Sequence, residues 1–322
     1  MAKLGSESIN SVKTSREGEQ GQLIDSDPNF AYLALITAAT VWGGSVVFQK
    51  FALGSFSAVE ISVLRGVGAL LILIPLWWWQ EGGSVRFQAH DIGLFAALSL
   101  GVLGNHLLTL FGLRYISAGA AGIIIGASPV ITAFLSSILI RDVPFSAVAV
   151  GCVLSFAGVA LVAGADTGNV GESPWLGGIL VILGLVSWAL YTIGGRRTMD
   201  RFSPLTVNWT TLAFSILPQI PLLWWDQKAI TAGFASVPGS GWLALAYLIL
   251  FATALGQQAW LYGVKGIGPS RAGVFVNLIP VSALILSALI LGEPVGARKL
   301  VGITLILTGV WLVNRQSQKT VR

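Results

Sequence analysis

Residues 112–162, GLRYISAGAAGIIIGASPVITAFLSSILIRDVPFSAVAVGCVLSFAGVALV, recur without a gap as residues 263–313, GVKGIGPSRAGVFVNLIPVSALILSALILGEPVGARKLVGITLILTGVWLV, at a constant offset of 151. Fifteen of the 51 aligned positions are identical, among them Gly112/Gly263, Gly122/Gly273, Pro129/Pro280, Gly151/Gly302 and Gly158/Gly309. Two strings this rich in small and aliphatic residues would agree at roughly five positions by chance, so the chain contains a true repeat. The matched glycines and prolines weigh most, because they fix backbone geometry as well as apolarity. Upstream the echo continues at an offset of 146: Trp42/Trp188, Phe56/Phe202 and Ser57/Ser203. The second copy therefore carries five extra residues, assigned to the 226–240 loop. One module has been duplicated.

Hydrophobic residues make up 54% of the 322-residue chain and charged residues 10%, whereas a soluble domain carries roughly 25% charged. The composition is that of an integral membrane protein. A bilayer core offers backbone groups no water, so spans are helices or closed barrels. Apolar runs of about 20 residues, not alternating tens, select helices. The single Cys152 excludes an internal disulfide and reads as a small core residue. A net charge of +5 does not signal nucleic acid here, because the basic residues are scattered through short loops between apolar runs.

Ten apolar segments follow one another: 30–50, 57–79, 91–112, 116–139, 145–164, 174–195, 203–225, 240–263, 270–291 and 297–314. Each is read as one span. Residues 1–29, with three basic and five acidic residues and no apolar period, are read as a disordered cytoplasmic tail without the pattern of a signal peptide. The first five-helix repeat then covers 30–164, an outer linker 165–173, the second repeat 174–314, and a cytoplasmic tail 315–322. With the N-terminus inside, cytoplasmic segments hold 13 Lys and Arg and outer segments five, an excess that puts both termini in the cytoplasm. Five spans per copy is an odd number, so the copies lie upside down relative to each other. The fold expected is all-α, ten transmembrane helices in two inverted five-helix repeats, an arrangement suited to alternating access.

The tryptophans divide by position. Trp77, Trp78, Trp79, Trp175, Trp224, Trp225 and Trp242 fall at span ends and are expected in the interfacial belts. Trp42, Trp188, Trp209, Trp260 and Trp311 fall inside spans, where an indole N–H needs a partner or a cavity.

Absent motifs narrow the chemistry. There is no G-x-x-x-x-G-K-[ST] loop for ATP, no H-E-x-x-H and no Cys/His ligand cluster. No cofactor, no metal and no enzymatic activity are expected. Of 14 carboxylates only Glu60 falls within a span, near its outer end, so the central acid on which sodium or proton coupling commonly relies is missing. Arg65, eight residues into the second span, reads as a local partner of Glu60 or, alternatively, as a guanidinium fork for a carboxylate. In the third span Asn105 and His106 align with Gly256 and Gln257 of the eighth. Such a pair either bracket a central cavity or serve as interhelical glue; His106 reads as a neutral hydrogen-bonded imidazole, with proton coupling the alternative. Pro129 and Pro280 each remove a helical hydrogen bond mid-span, giving a static kink or a hinge, and their recurrence in both copies favours the hinge. Asp142 and Glu293, just after the repeated prolines' helices, are expected to cap the next helix.

This combination of small-residue helix, central proline and Gly-rich final helix, Ala121 to Val162 and again Ala272 to Val313 with Gly292-Glu293, resembles the drug/metabolite transporter superfamily in its EamA-type form. The resemblance spans roughly residues 30–314. The Trp and Tyr residues inside spans are most similar to those of YddG-type exporters of aromatic and other amino acids. It implies a cavity made by spans 1, 3, 4, 6, 8 and 9, with 5 and 10 more peripheral. The lining so implied is Trp42, His106, Ser128, Trp188, Tyr191, Gln257, Trp260, Tyr262 and Asn277, a set of aromatics, amides and hydroxyls suited to a neutral zwitterion with an apolar side chain. The expected function is facilitative export of neutral and aromatic amino acids and related metabolites across a bacterial inner membrane, by a monomer whose partners are its small-molecule substrate, amino acids or amphipathic drugs, and the bilayer. The alternatives are a proton-coupled broad drug exporter and a non-transporting membrane scaffold.

Overall fold

A computed structural model describes residues 28–83, 85, 87–139, 145–164, 173–199, 201–267 and 272–320. The expected tail before residue 28, most of the 165–173 linker and the Asp142 cap lie outside those residues. Ten helical segments match the ten apolar runs: α1 Pro28–Ala52, α2 Ala58–Glu81, α3 Ala89–Gly112, α4 in two pieces (Ala118–Ile125 and Ser128–Leu139), α5 Phe145–Gly164, α6 Pro174–Thr198 and α7 Pro204–Ile216. Then come α8, continuous from Gly239 to Ile267, α9 (a tight 3-10 turn Gly273–Asn277 followed by Leu278–Leu291) and α10 Ala297–Thr320. Among the described residues, six helices are long and apolar enough to cross a membrane. They are α1, α2, α3, α4, α6 and α8.

Local chemistry sets the boundaries. Ser57 and Ser203, repeated at the offset of 146, are N-caps whose hydroxyls accept from Glu60 N (3.1 Å) and Thr206 N (3.0 Å). The phenylalanines before them, Phe56 and Phe202, are buried, so the echoed Phe-Ser pair marks two equivalent helix starts. At the other end of α7, Pro218 and Pro221 lack the N–H that an α-helix needs. The helix therefore tightens into 3-10 turns, Leu217–Gln219 and Pro221–Trp224, short of the expected end at residue 225. The following loop folds into the short helix Ala229–Ala232 and a turn at Phe234–Ser236.

The two copies meet through their own repeated residues. A Cβ built on Gly151 would lie 2.6 Å from the Gly309 carbonyl, and one on Gly158 would lie 2.7 Å from the Gly302 carbonyl. Gly151 is the repeat mate of Gly302, and Gly158 of Gly309. The contacts thus cross over, as a twofold axis between antiparallel equivalent helices requires. Ser155 lies on that axis and donates to the carbonyl of its own mate, Ile306, at 3.3 Å. The backbones of α5 and α10 approach this closely only because glycine has no side chain. These helices form the seam between the copies and contribute Cys152, Val159, Ile306 and Val310 to the main apolar core.

Antiparallel packing holds for α4 and α9 too. Gly119, Gly122 and Gly126 of α4 face Ser287, Ala283 and Pro280 of α9 in that order. At the same end of the bundle, Glu293 reaches across the copies, its carboxylate accepting from Ala118 N and Gly119 N at 2.8 Å each. The sequence reading had Glu293 capping the next helix. It caps α4 of the other copy instead, because the turn at Gly292, in the left-handed region at φ 66°, redirects the chain. Lys299 donates to Ser117 at 3.0 Å in the same network. We call this the Glu293 end.

A second pair of symmetric clasps joins α2 and α7. Asp226 accepts from Val59 N at the start of α2 (3.1 Å) and pairs with Arg114 (2.7 Å). At the opposite end of α2, Glu81 takes hydrogen bonds from Ser203 and Thr206 at the start of α7. Trp77 donates to Glu81 and Thr206 at 3.1 and 3.0 Å and is buried, so it belongs to the clasp and not to the interfacial belt. Trp78, Trp79, Trp175, Trp224, Trp225 and Trp242 are exposed, as belt residues facing lipid should be. Trp311 is exposed as well, with the Arg315 guanidinium 5.2 Å from its ring. Its expected internal partner is not there, because that face of α10 points away from the bundle.

Candidate functional site

Between the copies lies a cavity lined by α1 (Trp42, Ser45, Val46, Gln49), α2 (Arg65), α3 (Asn105, His106, Thr109), α4 (Ile125, Ser128), α6 (Leu185, Trp188), α8 (Gln257) and α9 (Val276, Ile279). Its volume is about 100 Å³. Four lining pairs are repeat mates: Trp42/Trp188, His106/Gln257, Ile125/Val276 and Ser128/Ile279. The pseudo-twofold axis therefore passes through the cavity.

The backbone around the cavity is irregular at equivalent places. The α4 helix breaks at Gly126 and Ala127, whose N–H groups bond back to Ile123 and Ile124 at 3.0 and 2.9 Å, in 3-10 fashion. Pro129 has no N–H to offer the Ile125 carbonyl. In α9 the 3-10 turn Gly273–Asn277 gives way to the α-helix at Leu278, one turn before Pro280 and at the position matching the α4 break. The α8 helix holds a third irregularity that the sequence did not announce. Residues Leu248–Gly256 wind as a π-helix. Thr253 Oγ1 donates to the Leu248 carbonyl, five residues back, at 2.7 Å, and the Ala252 carbonyl accepts from the Trp42 indole at 3.0 Å. A widened turn frees carbonyls from the helical ladder, and such turns recur at functional sites.

The aromatic wall is a chain of four rings. Trp42 packs edge-on to Trp188 (5.9 Å between centroids) and tilted on Trp260 (5.4 Å), and Trp188 packs on Tyr191 (5.2 Å). Only Trp42 and Trp188 reach the cavity; Trp260 and Tyr191 are buried behind them. The Tyr191 hydroxyl approaches Thr211 and Gln257 without closing a well-formed hydrogen bond. Of the expected lining, Trp42, His106, Ser128, Trp188 and Gln257 are on the cavity; Tyr191, Trp260, Tyr262 and Asn277 are not. Asn277 ends the 3-10 turn with its Oδ1 buried and unpaired.

Residues outside the expected lining complete it. Ser45, Val46 and Gln49 follow Trp42 at three, four and seven residues, one face of α1. That polar stripe was the available signal. Arg65 is the larger surprise. It does not pair with Glu60, since residues five apart on a helix point in directions about 140° apart. Glu60 instead gathers four backbone N–H groups, from Ser57 (2.7 Å), Lys228 (2.9 Å), Ala229 (3.0 Å) and Ile230 (2.8 Å), and so pins the loop after α7 onto the start of α2. Arg65 points inward, donates through Nε to Thr253 Oγ1, and lines the cavity. No group of three or more His, Cys, Asp or Glu is gathered to hold a metal among the described residues.

Two stretches of the chain, residues 29–164 and 175–315, each match the model of the EamA-like transporter family. Among similar proteins, YyaM of Bacillus subtilis, an uncharacterized transporter, is 27% identical over 284 residues, covering 87% of this chain and 92% of that one. An uncharacterized transporter of Archaeoglobus fulgidus is 28% identical over 290 residues, 88% of this chain and 99% of that one. YedA of Escherichia coli K12, an uncharacterized inner membrane transporter, is 23% identical over 285 residues, 87% and 89% of the two chains. A protein crystal structure with 18% identity superposes at a TM-score of 0.60 over 90% of this chain and 98% of that chain, a likeness of fold.

Proposed function

The chain belongs to the EamA-like transporter family, and from that premise we propose that it exports neutral and aromatic amino acids and related small metabolites across a bacterial inner membrane by alternating access. As a member it is a multi-pass membrane transporter of small molecules, not an enzyme. The observation that carries the finer reading is the cavity on the pseudo-twofold axis, where repeat mates from both copies face one another. Amides, hydroxyls and two indoles suit a zwitterion with an apolar side chain. At about 100 Å³ the cavity takes a small metabolite as it stands, and the Trp42 and Trp188 indoles part for an aromatic one. Ten spans with both termini inside put the Glu293 end at the outer face. There α4 and α9 are packed together, so the conformation is closed outward. Pro129 and Pro280, each just beyond a break in its helix, are the hinges at which the helix halves swing.

Transport is facilitative in this reading. A driving ion must bind the inward and outward states differently to shift the cycle, and no Asp or Glu is among the lining residues. Glu60 is engaged by four N–H groups in a structural role. The proton-coupled drug exporter remains the second reading, because His106 is on the cavity. The test is uptake by proteoliposomes across a panel of amino acids and amphipathic drugs, with and without an imposed pH gradient at clamped potential. Equilibration of amino acids to equal levels supports the proposal. Accumulation above equilibrium that His106→Ala abolishes favours proton coupling, and absence of flux of every compound by well-folded protein rejects transport of these classes.

A further inference from the structure

Arg65 is the one Lys or Arg among the residues that line the cavity, and no carboxylate lines it with Arg65. Its side chain is 94% buried, with 6% exposed. A guanidinium remains charged in proteins, and an ion left in a low-dielectric interior without a counter-charge costs several kcal/mol. Among the described residues its partner is a single neutral hydroxyl, Thr253 Oγ1, on Nε. That hydroxyl gives its own proton to the Leu248 carbonyl at 2.7 Å, so its lone pair is held toward Arg65. The π-helical turn thus fixes the guanidinium through Nε and leaves the two terminal Nη groups without a hydrogen-bond partner among the described residues.

We infer that Arg65 is the anchor for a carboxylate of the transported molecule, through Nη1 and Nη2 end-on, so that the cavity selects α-amino acids and other monocarboxylates over the corresponding amines and amides. The inference rests on the transport reading of the same cavity and sharpens its substrate class. One fixed positive charge matches one carboxylate. A phosphate monoester, near two negative charges, would leave the second unpaired among amides and hydroxyls. The ammonium of an amino acid has acceptors close by. Asn105 donates its Nδ2 to the Gly184 carbonyl at 3.1 Å, which orients the amide and leaves Oδ1 as an acceptor, and the Trp42 and Trp188 indoles line the same cavity. The repeat mate of Arg65 is Thr211, whose hydroxyl is already satisfied by the Val207 carbonyl at 2.7 Å. The anchor therefore exists in one copy only and holds the substrate in one orientation relative to the two copies.

The experiment uses the full chain in lipid nanodiscs. Binding of L-phenylalanine, hydrocinnamate, phenethylamine, phenylalaninamide and inorganic phosphate is measured by calorimetry, for the wild type and for Arg65→Gln, Arg65→Lys and Thr253→Val. The wild type is expected to bind phenylalanine and hydrocinnamate at least about tenfold more tightly than phenethylamine, the amide and phosphate, the scale of a charge-assisted hydrogen-bond pair. Arg65→Gln should remove that preference while leaving phenethylamine binding within about threefold, and Arg65→Lys should restore part of it. If Arg65→Gln does not fold, the wild-type comparison of acid with amine, together with a weaker acid preference in Thr253→Val, decides. Equal binding of acid and amine by the wild type, an acid preference that survives in folded Arg65→Gln, or no binding of either carboxylate overturns the inference. Flux without any carboxylate preference leaves transport standing and removes the anchor. Arg65-dependent carboxylate binding without flux in proteoliposomes does the reverse.

Discussion

Gly122→Ala adds one methyl group at the closest approach of α4 and α9. The new Cβ would lie 2.2 Å from the Ala283 Cβ, whereas carbon atoms rest at about 3.5–4.0 Å. The helices must therefore separate by roughly 1.5 Å at that level. Neither neighbour can yield by rotating, since Ala283 has no further side-chain atoms. Inserting a methylene into a packed interior costs about 1–3 kcal/mol, and here the cost falls on the arrangement in which the Glu293 end is closed. In the proposed cycle, exchange to the opposite arrangement parts these helices and relieves it. The inward–outward equilibrium should shift toward the outward state by about 5- to 150-fold. Ser128→Cys supplies a reporter on the cavity, native Cys152 being buried and replaced by Ala as background. Reaction of the reporter with a membrane-impermeant maleimide, applied to right-side-out vesicles, should accelerate by about that factor in Gly122→Ala. An unchanged rate with unchanged thermal stability would refute the view that this α4–α9 contact is the outer gate. A large loss of stability with no gain in rate would make the contact part of the permanent core.

Four further substitutions separate the hinges, the Glu60 contact and the α5–α10 seam. Pro129→Ala or Pro280→Ala restores a backbone N–H and should slow flux in proteoliposomes severalfold with ligand affinity and thermal stability retained; normal rates in both variants reduce the prolines to packing features. Glu60→Gln should lower stability by about 1–3 kcal/mol for each backbone N–H left unpaired at Ser57, Lys228, Ala229 or Ile230, read as an earlier thermal transition, and should leave the response of transport to a pH gradient unaltered. A changed pH response instead would return Glu60 to the list of coupling groups. Gly158→Leu places a side chain against the Gly302 carbonyl, 2.7 Å from its Cβ, and should abolish folding, seen as loss of a monodisperse peak in size exclusion, where Gly122→Ala only shifts states.

Repeat, helices and mid-span breaks were legible because each rests on residues whose backbone chemistry is nearly unconditional. Proline cannot donate, serine before a helix caps it, and paired glycines let backbones touch. The crossing contacts Gly151–Gly309 and Gly158–Gly302 are the physical reason those four glycines stood out in the alignment. The cavity was legible in half. Trp42, His106, Ser128, Trp188 and Gln257 were picked as polar or aromatic groups at depth, and all five line it. Tyr191, Trp260 and Tyr262 satisfied the same criterion, yet depth along a helix does not say which way a side chain points. Arg65 stood open between a partner of Glu60 and a fork for a carboxylate, when helical geometry alone separates it from Glu60. The π-turn at Leu248–Gly256 has no proline to betray it, and its one glycine, Gly256, comes only at its end; it depends on Thr253, Arg65 and Trp42 meeting across three helices, which no local pattern encodes.

Symmetry and its violations do different work in this protein. Two identical antiparallel copies would make the inward and outward states equal in energy by construction, so that a ligand on the axis could tip neither. In the proposed mechanism, the repeated glycines, prolines and caps keep the two states close enough to exchange. The positions at which the copies differ then decide which state is populated and what is carried. Gly126 lets α4 lie against Pro280, with its added Cβ only 2.8 Å from that ring. The mirror contact would bring Asn277, the mate of Gly126, toward Pro129 with an amide in place of a hydrogen. That bulk disfavours equally tight closure of the opposite end and explains why the Glu293 end is the one found packed. Arg65 opposite Thr211 adds the chemical half of the same asymmetry. A guanidinium on one copy alone ties a carboxylate to one side of the moving interface, so the substrate meets a different surface in each state. Differential contact of that kind is what a carrier needs if its cargo is to speed the exchange.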